Sequence, residues 1–214
     1  MSAGPSKTSS GCTRPDMRRA FDLLGAALGL LVLLPVFFVI ACFIKLADRG
    51  PVFYRQLRVG LRGRPFRIWK FRTMVLDADR VGRSLTVGSD PRITQPGAWL
   101  RRWKLDELPQ LMNVITGEMG FVGPRPEVPC FVELYTLEQR KVLELRPGIT
   151  DLASIAYRDE NDLLDGLEDP EGHYTSVILP EKIRMNLAYA AHATLWRDFK
   201  VVLATLGLLD PKRV

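Results

Sequence analysis

The sequence predicts an α+β protein with an N-terminal re-entrant membrane helix, a small β-hairpin, and several helices, some of them amphipathic and suited to a membrane interface. Three observations carry this. Leu23 to Ile44 holds no charged residue over 22 positions, against the ~20 apolar residues that a helix needs to cross the hydrocarbon core. Two runs rich in aromatic and β-branched residues flank Gly60-Leu61-Arg62-Gly63, as the arms of a hairpin do. The rest divides into stretches of helical periodicity separated by glycine and proline.

The apolar segment is flanked by Arg14, Arg18 and Arg19 on one side and by Lys45, Arg49, Arg55 and Arg58 on the other. Cytoplasmic flanks are enriched in Lys and Arg, so a straight crossing would leave one basic flank on the wrong side. A helix that enters, bends and returns resolves the conflict, and Pro35 near its middle removes a backbone donor where a bend would fall. A plain span with a tolerated proline is the alternative. The segment is longer than the apolar core of a signal peptide, which runs ~7–15 residues. The chain thus divides into a flexible tail (1–16), the membrane helix with its flank (17–50), and a membrane-associated body on the cytoplasmic face (51–214).

Within the body, Val52–Val59 and Phe66–Met74 are the expected strands, crowded with Arg55, Arg58, Arg62, Arg64, Arg67, Lys70 and Arg72. Asp77–Arg83 is expected as a short helix and Ser84–Gly97 as a loop. Ala98–Lys104 is expected as a helix that sets Trp99 and Trp103 beside Arg101, Arg102 and Lys104, a pairing common at membrane surfaces. A second helix follows over Leu105–Thr116, ended by Gly117. Gly120–Pro129 is a fixed loop, Cys130–Leu145 a helix, Ile149–Tyr157 extended, and Pro180–Thr194 and Leu195–Leu209 two closing helices.

With 214 residues, 47% of them hydrophobic, the chain is long enough for a real core. A net charge of +6 suits nucleic acid, anionic lipid or a phosphate-bearing substrate. Cys12, Cys42 and Cys130 are too dispersed for a disulfide framework or a metal site, and His173 and His192 are isolated. There is no P-loop and no dinucleotide fingerprint. The Gly-x-x-Gly turn matches the RNA clamp of KH modules but joins strands where that clamp joins helices, so no nucleic-acid partner is expected.

Chemistry concentrates in Lys104-Leu105-Asp106-Glu107-Leu108-Pro109-Gln110. Two adjacent carboxylates near a helix start, among Arg101, Arg102 and Lys104, are favoured in their ionised form. A carboxylate can attack phosphorus to give an acyl phosphate, and its neighbour can act as base or metal ligand. Such a pair also commonly does no more than cap a first turn. Arg125, fixed between Pro124 and Pro126, is shaped to grip a phosphate bidentately, or is simply a solvated turn residue.

Taken together, the motifs resemble the bacterial sugar transferase family, the small monotopic polyprenyl-phosphate phosphoglycosyl transferases. The likeness runs through Phe21-Asp22, Pro35, Pro51 to Gly60, Lys70-Phe71-Arg72-Thr73-Met74, Asp90-Pro91-Arg92-Ile93-Thr94, Leu105 to Val114, Val122 to Glu127, and Arg146-Pro147-Gly148-Ile149-Thr150. It covers roughly residues 17 to 206. The resemblance implies that Asp106 attacks the sugar-bearing phosphate of a UDP-sugar, expels UMP and forms a covalent aspartyl-phosphosugar, which polyprenyl (undecaprenyl) phosphate then resolves, as the first membrane step of a bacterial glycan assembly pathway. Glu107 would accept a proton or, with Asp106, hold Mg²⁺. Lys70, Arg101, Arg125 and Arg158 match the family's phosphate- and nucleotide-contacting cations. Membrane lipids are further partners, a homodimer is left open, and the bacterial inner membrane is the expected location. The chain departs from the family pattern at Leu34 before Pro35, at Asp151, and over Ala153–Arg158. The alternative is a non-catalytic basic adaptor on the membrane surface, whose binding would depend on salt and ignore Asp106.

Overall fold

The computed structural model describes residues 15–78 and 90–213. Helix α1 (Pro15–Asp48) runs 34 residues and contains Pro35 without ending there. At 1.5 Å per residue it is about 51 Å long. One stripe of α1 packs on the body at helical spacing: Ala26, Leu30, Leu33, Phe37, Ile40 and Ile44. The other side is apolar and open, with Leu24, Leu28, Leu31, Phe38 and Val39 all more than 60% exposed. Only 11% of its most apolar window is buried, which excludes an ordinary core helix. It is the one helix among the described residues long and apolar enough to cross a membrane.

Both ends of α1 are tied to the same body. Near the start, Arg18 pairs with Asp198 at 2.8 Å. Arg19 donates to the carbonyls of Val114 and Ile115 at 2.7 and 3.0 Å, and the Phe121 N–H donates to Asp22. At the far end, Asp48 pairs with the buried Arg72.

The hairpin forms as expected: β1 (Phe53–Val59) pairs antiparallel with β2 (Pro65–Phe71), Phe53 opposite Phe71 and Val59 opposite Pro65. A single 3₁₀ turn (Leu61–Gly63) closes it, with Arg62 and Gly63 both at positive φ. Side chains alternate along β2. Phe66 and Ile68 enter the core under α1, and Lys70, two residues on, continues that face.

Several expected elements differ. The Asp77–Arg83 helix and the first part of the Ser84–Gly97 loop fall largely outside the described residues, and Asp77 itself has φ 62°. Helix α2 (Gln95–Arg102) begins earlier than Ala98, because the Thr94 hydroxyl caps the Gly97 N–H and Pro96 is tolerated in a first turn. Pro96-Gly97 therefore starts a helix instead of breaking one. Leu105–Gln110 is a 3₁₀ segment with Pro109 inside it, and only Leu111–Thr116 (α3) is α-helical, ended by Gly117 at φ 88°. The single helix expected over Cys130–Leu145 is two pieces, α4 (Pro129–Glu133) and a 3₁₀ turn (Gln139–Glu144). Between them Thr136 and Gln139 cap each other reciprocally, restarting the chain as a new helix. Ile149–Tyr157 is not extended throughout. After β4 (Gly148–Thr150), Asp151 caps α5 (Leu152–Ala156) by accepting from the N–H and the hydroxyl of Ser154.

Strand β4 pairs in parallel with β3 (Gly120–Val122), inside the stretch expected as loop. The C-terminal part holds α6 (Glu160–Leu164), α7 (Pro170–His173), a π-helical turn (Tyr174–Ile178), α8 (Leu179–Ala190) and α9 (Leu195–Thr205). Helices α4 and α8 share a core of Phe131, Val132, Leu164, Tyr174 and Ile183.

Gly123 and Gly148 bring the β3 and β4 backbones into contact. A methyl group on Gly148 would lie 2.2 Å from the Gly123 nitrogen. Neither backbone can move without shifting the loop that follows Gly123. Gly148→Ala is expected to cost about 1–3 kcal/mol, seen as a lowered thermal midpoint, and to reduce activity by displacing Arg125.

Candidate functional site

Three segments converge on the acidic pair. Strand β2 brings Lys70, the 3₁₀ segment brings Asp106 and Glu107, and the Pro124–Pro126 turn brings Arg125. Lys104, in the left-handed conformation at φ 55°, turns the chain from α2 into the 3₁₀ segment.

Glu107 is gripped from both sides. Its Oε2 accepts from Arg125 Nη1 at 2.9 Å, its Oε1 accepts from Arg125 Nη2, and Lys70 Nζ donates to Oε1 at 2.9 Å. These charge-assisted bonds hold its pKa well below the usual carboxylate range, the two cations outweighing the opposing effect of burial. Glu107 reciprocally raises the Arg125 pKa, whereas burial lowers that of Lys70.

Asp106 is in the opposite state. It is 6% exposed, and its carboxylate makes no hydrogen bond or ion pair with any described residue. Burial raises its pKa, opposed mainly by the field of Lys70. The field of Arg101 acts in the same sense. Arg101 donates through Nε to Thr73 Oγ1 at 2.9 Å and so is held against the exit of β2. A close approach fixes that position: a methyl on Gly97 would sit 2.0 Å from the Thr73 carbonyl oxygen, so only glycine lets α2 press there.

The structure thus brings together five of the expected residues: Lys70, Arg101, Asp106, Glu107 and Arg125. Arg158 is apart from them, exposed just beyond α5, and is not among the charges that act on Asp106 or Glu107. Trp99 and Trp103 are 49% and 62% exposed on α2 and its cap, with Leu100 of the same helix fully buried. Pro35 lies inside α1, away from this cluster's polar contacts.

The sequence gave no warning of the residues that hold the site in place. Asn113 is fully buried, accepts from the Trp69 N–H at 2.9 Å, and donates to the Arg67 carbonyl at 2.9 Å and to Glu118 at 2.8 Å. It extends the hydrogen bonding of β2 onto α3 and so fixes the strand residue next to Lys70. Glu127 accepts from the buried Tyr174 hydroxyl at 2.6 Å and faces Arg58 at 3.8 Å. Arg58 also donates to the Pro126 carbonyl at 3.1 Å, bracing the turn that presents Arg125. An asparagine within an apolar helix-forming run, and a glutamate just after a Pro-Arg-Pro turn, were the available signals.

A divalent cation is compatible with this donor set. The Asp106 oxygens are free of protein partners, and Glu107 is its immediate neighbour. No cluster of three or more His, Cys, Asp or Glu side chains occurs among the described residues. One or two carboxylates completed by phosphate oxygens and water is the coordination that suits Mg²⁺ and not zinc.

Comparison with known proteins gives the following. A family model described as bacterial sugar transferase matches residues 13–209. The UDP-glucose:undecaprenyl-phosphate glucose-1-phosphate transferase of Escherichia coli is 39% identical over 199 residues, covering 89% of this chain and 39% of that protein. The exopolysaccharide production protein ExoY of Rhizobium meliloti is 34% identical, covering 92% of this chain and 88% of its own length. A Bacillus subtilis protein named a putative undecaprenyl-phosphate N-acetylgalactosaminyl 1-phosphate transferase is 43% identical over 122 residues, 57% of this chain and 68% of its own. The chain thus spans well under half of the Escherichia coli relative and most of ExoY.

Proposed function

The chain belongs to the bacterial sugar transferase family, and from that premise we propose that it transfers a sugar-1-phosphate from a UDP-sugar to polyprenyl phosphate through a covalent intermediate on Asp106. The observation that carries this is the division of labour between two neighbouring carboxylates. Glu107 occupies the cations, and Asp106 stays buried, unpartnered and available to an incoming phosphorus atom. A carboxylate that served only to stabilise the fold would be paired.

In the first half-reaction an Asp106 oxygen forms a bond to the phosphorus that bears the sugar. The bond from that phosphorus to the bridging oxygen breaks, and UMP leaves with the electron pair. In the second, a phosphate oxygen of the lipid forms a bond to the same phosphorus, the acyl-phosphate bond breaks, and the Asp106 carboxylate is restored. No proton has to move at the attacking carboxylate. Glu107, held ionised by two cations, is a poor base and acts instead to position Lys70 and Arg125 against the diphosphate. Phosphoryl transfer depends mainly on such positioning and charge neutralisation. Mg²⁺ held by Asp106 and Glu107 would add charge neutralisation at the diphosphate.

The acceptor's hydrocarbon tail stays in the bilayer, so the site belongs at its surface. The open apolar side of α1 and the exposed Trp99 and Trp103 are suited to lie in lipid. The anchoring of both ends of α1 to one body supports a helix that enters and leaves on the cytoplasmic face: a transverse helix would separate Arg18 and Asp48 by the bilayer thickness. Accessibility labelling of cysteines placed before Arg18 and after Asp48 should report one side of the membrane, and opposite sides would exclude the re-entrant arrangement. The sugar is not specified by the relatives, whose names include both glucose and N-acetylgalactosamine.

The covalent route is tested by incubating the protein with a UDP-sugar labelled in the sugar, with lipid acceptor omitted. Label should be retained on the chain at Asp106 with release of one UMP per label. Transfer to lipid with no trapped label under any donor would point to a single displacement instead.

A further inference from the structure

On the far side of Arg125 from Glu107 lies a cavity of about 460 Å³, part of it open to solvent. It is bounded by the end of β1, the Pro124–Pro126 turn, the Gln139–Glu144 turn and α8. Most of its wall is aliphatic, with Val142, Leu179 and Ile183 among the lining residues. Two buried polar side chains interrupt that wall. Asn186 and Tyr135 are each 7% exposed, and neither the Asn186 carboxamide nor the Tyr135 hydroxyl has a hydrogen-bond partner among the described residues. Elsewhere in the same core the polar groups are satisfied: Tyr174 on Glu127, and Lys182 on Glu160 at 2.7 Å. Buried polar groups are nearly always paired, so two left open on one cavity point to a ligand that completes them.

We propose that this cavity receives the uracil ring of the nucleotide donor, with Asn186 reading its imide edge. The inference rests on the reading of the chain as a UDP-sugar-dependent transferase, and assigns a place to the part of the donor that the Asp106 site leaves unaccounted for. A flat, half-apolar ring suits an aliphatic wall. A hexose, which needs partners around its whole rim, does not. A carboxamide is complementary to an imide: its N–H₂ donates to a ring carbonyl, and its oxygen accepts the ring N–H. Arg125 borders both the cavity and Glu107, so a nucleotide bridging the two would lay its phosphates along that guanidinium. UMP formed in the first half-reaction would leave through the cavity's open side, away from α1.

The test measures binding of UMP, CMP and inorganic pyrophosphate to the full chain in lipid nanodiscs. Cytosine presents an amino group and a bare nitrogen where uracil presents a carbonyl and an N–H. The wild type should therefore prefer UMP over CMP by roughly tenfold. Asn186→Ala should bring that ratio close to one, leaving pyrophosphate binding unchanged. Ile183→Phe, which fills the cavity, should weaken UMP without affecting pyrophosphate. An unchanged UMP-to-CMP ratio in Asn186→Ala would overturn the assignment. So would equal weakening of UMP and pyrophosphate, which is the mark of a merely structural role. A change confined to discrimination between UDP-sugars would give the cavity to the sugar and overturn it as well. In each of these cases labelling of Asp106 by a UDP-sugar would persist, leaving the transferase reading intact. Loss of both labelling and UMP binding in the wild type would remove both.

Discussion

Replacing Asp106 by asparagine is expected to reduce transfer by at least roughly a thousandfold and to leave the protein as stable as the wild type or more so. The side chain is buried and unpartnered, so no bond is lost when the charge is removed. Burial raises its pKa in the folded state. A group of that kind contributes stability that is fully present below its unfolded pKa and is lost as pH rises through the raised folded value. Asparagine cannot ionise and keeps that contribution at every pH. The difference in thermal midpoint between Asp106→Asn and wild type should therefore grow from near zero in acid to a positive value at higher pH. Thermal melts across pH, run beside a UMP-release assay, measure both effects. A marked destabilisation would mean that the carboxylate makes a contact the structure lacks, and retained transfer would end its assignment as nucleophile.

Glu107→Gln should behave differently although the residue is adjacent. The substitution leaves Lys70 and Arg125 without a counter-charge where their side chains are 16% and 28% exposed. Breaking a buried pair by removing one partner costs about 3 kcal/mol or more, a fall of roughly 6–12 °C in thermal midpoint for a domain of this size. Activity should also fall by at least roughly a hundredfold, because the freed cations are then expected to turn to Asp106 and pin the nucleophile. The pH dependence has the opposite sign to that of Asp106. Glu107 has a folded pKa held well below its ordinary 4.5, so its contribution is present above that value and is lost as pH falls through the lower folded one. Below that pH the wild type and Glu107→Gln should converge in stability. Persistent separation there would mean that the variant has lost packing and not charge.

The two neighbours were indistinguishable as letters. Asp106 and Glu107 both read as acids near a helix start, and the sequence left Glu107 open as base or metal ligand. The fold separates them. The 3₁₀ geometry from Leu105 to Gln110 turns one side chain toward Lys70 and Arg125, and leaves the other without a partner. The misjudged boundaries have a related cause. Thr94, Thr136 and Asp151 are short polar side chains that restart or begin helices by capping. Periodicity averaged over a long window passes over such single-residue signals.

What the sequence determined by itself is local or repetitive: the long apolar run of α1, the hairpin with its Gly-x-x-Gly turn, the acidic pair, and the ordered motifs of the family. Each depends on residues close together in the chain, where a pattern of side chains dictates the outcome. What only the tertiary structure decided is which distant groups meet. It set Lys70 from a strand and Arg125 from a turn on the same carboxylate, Asn113 on β2, both ends of α1 on one body, and Asn186 on a cavity shared with Arg125. These contacts join residues tens of positions apart, and the free energy that selects them comes from burying the intervening apolar faces together. No single segment of the chain carries that information.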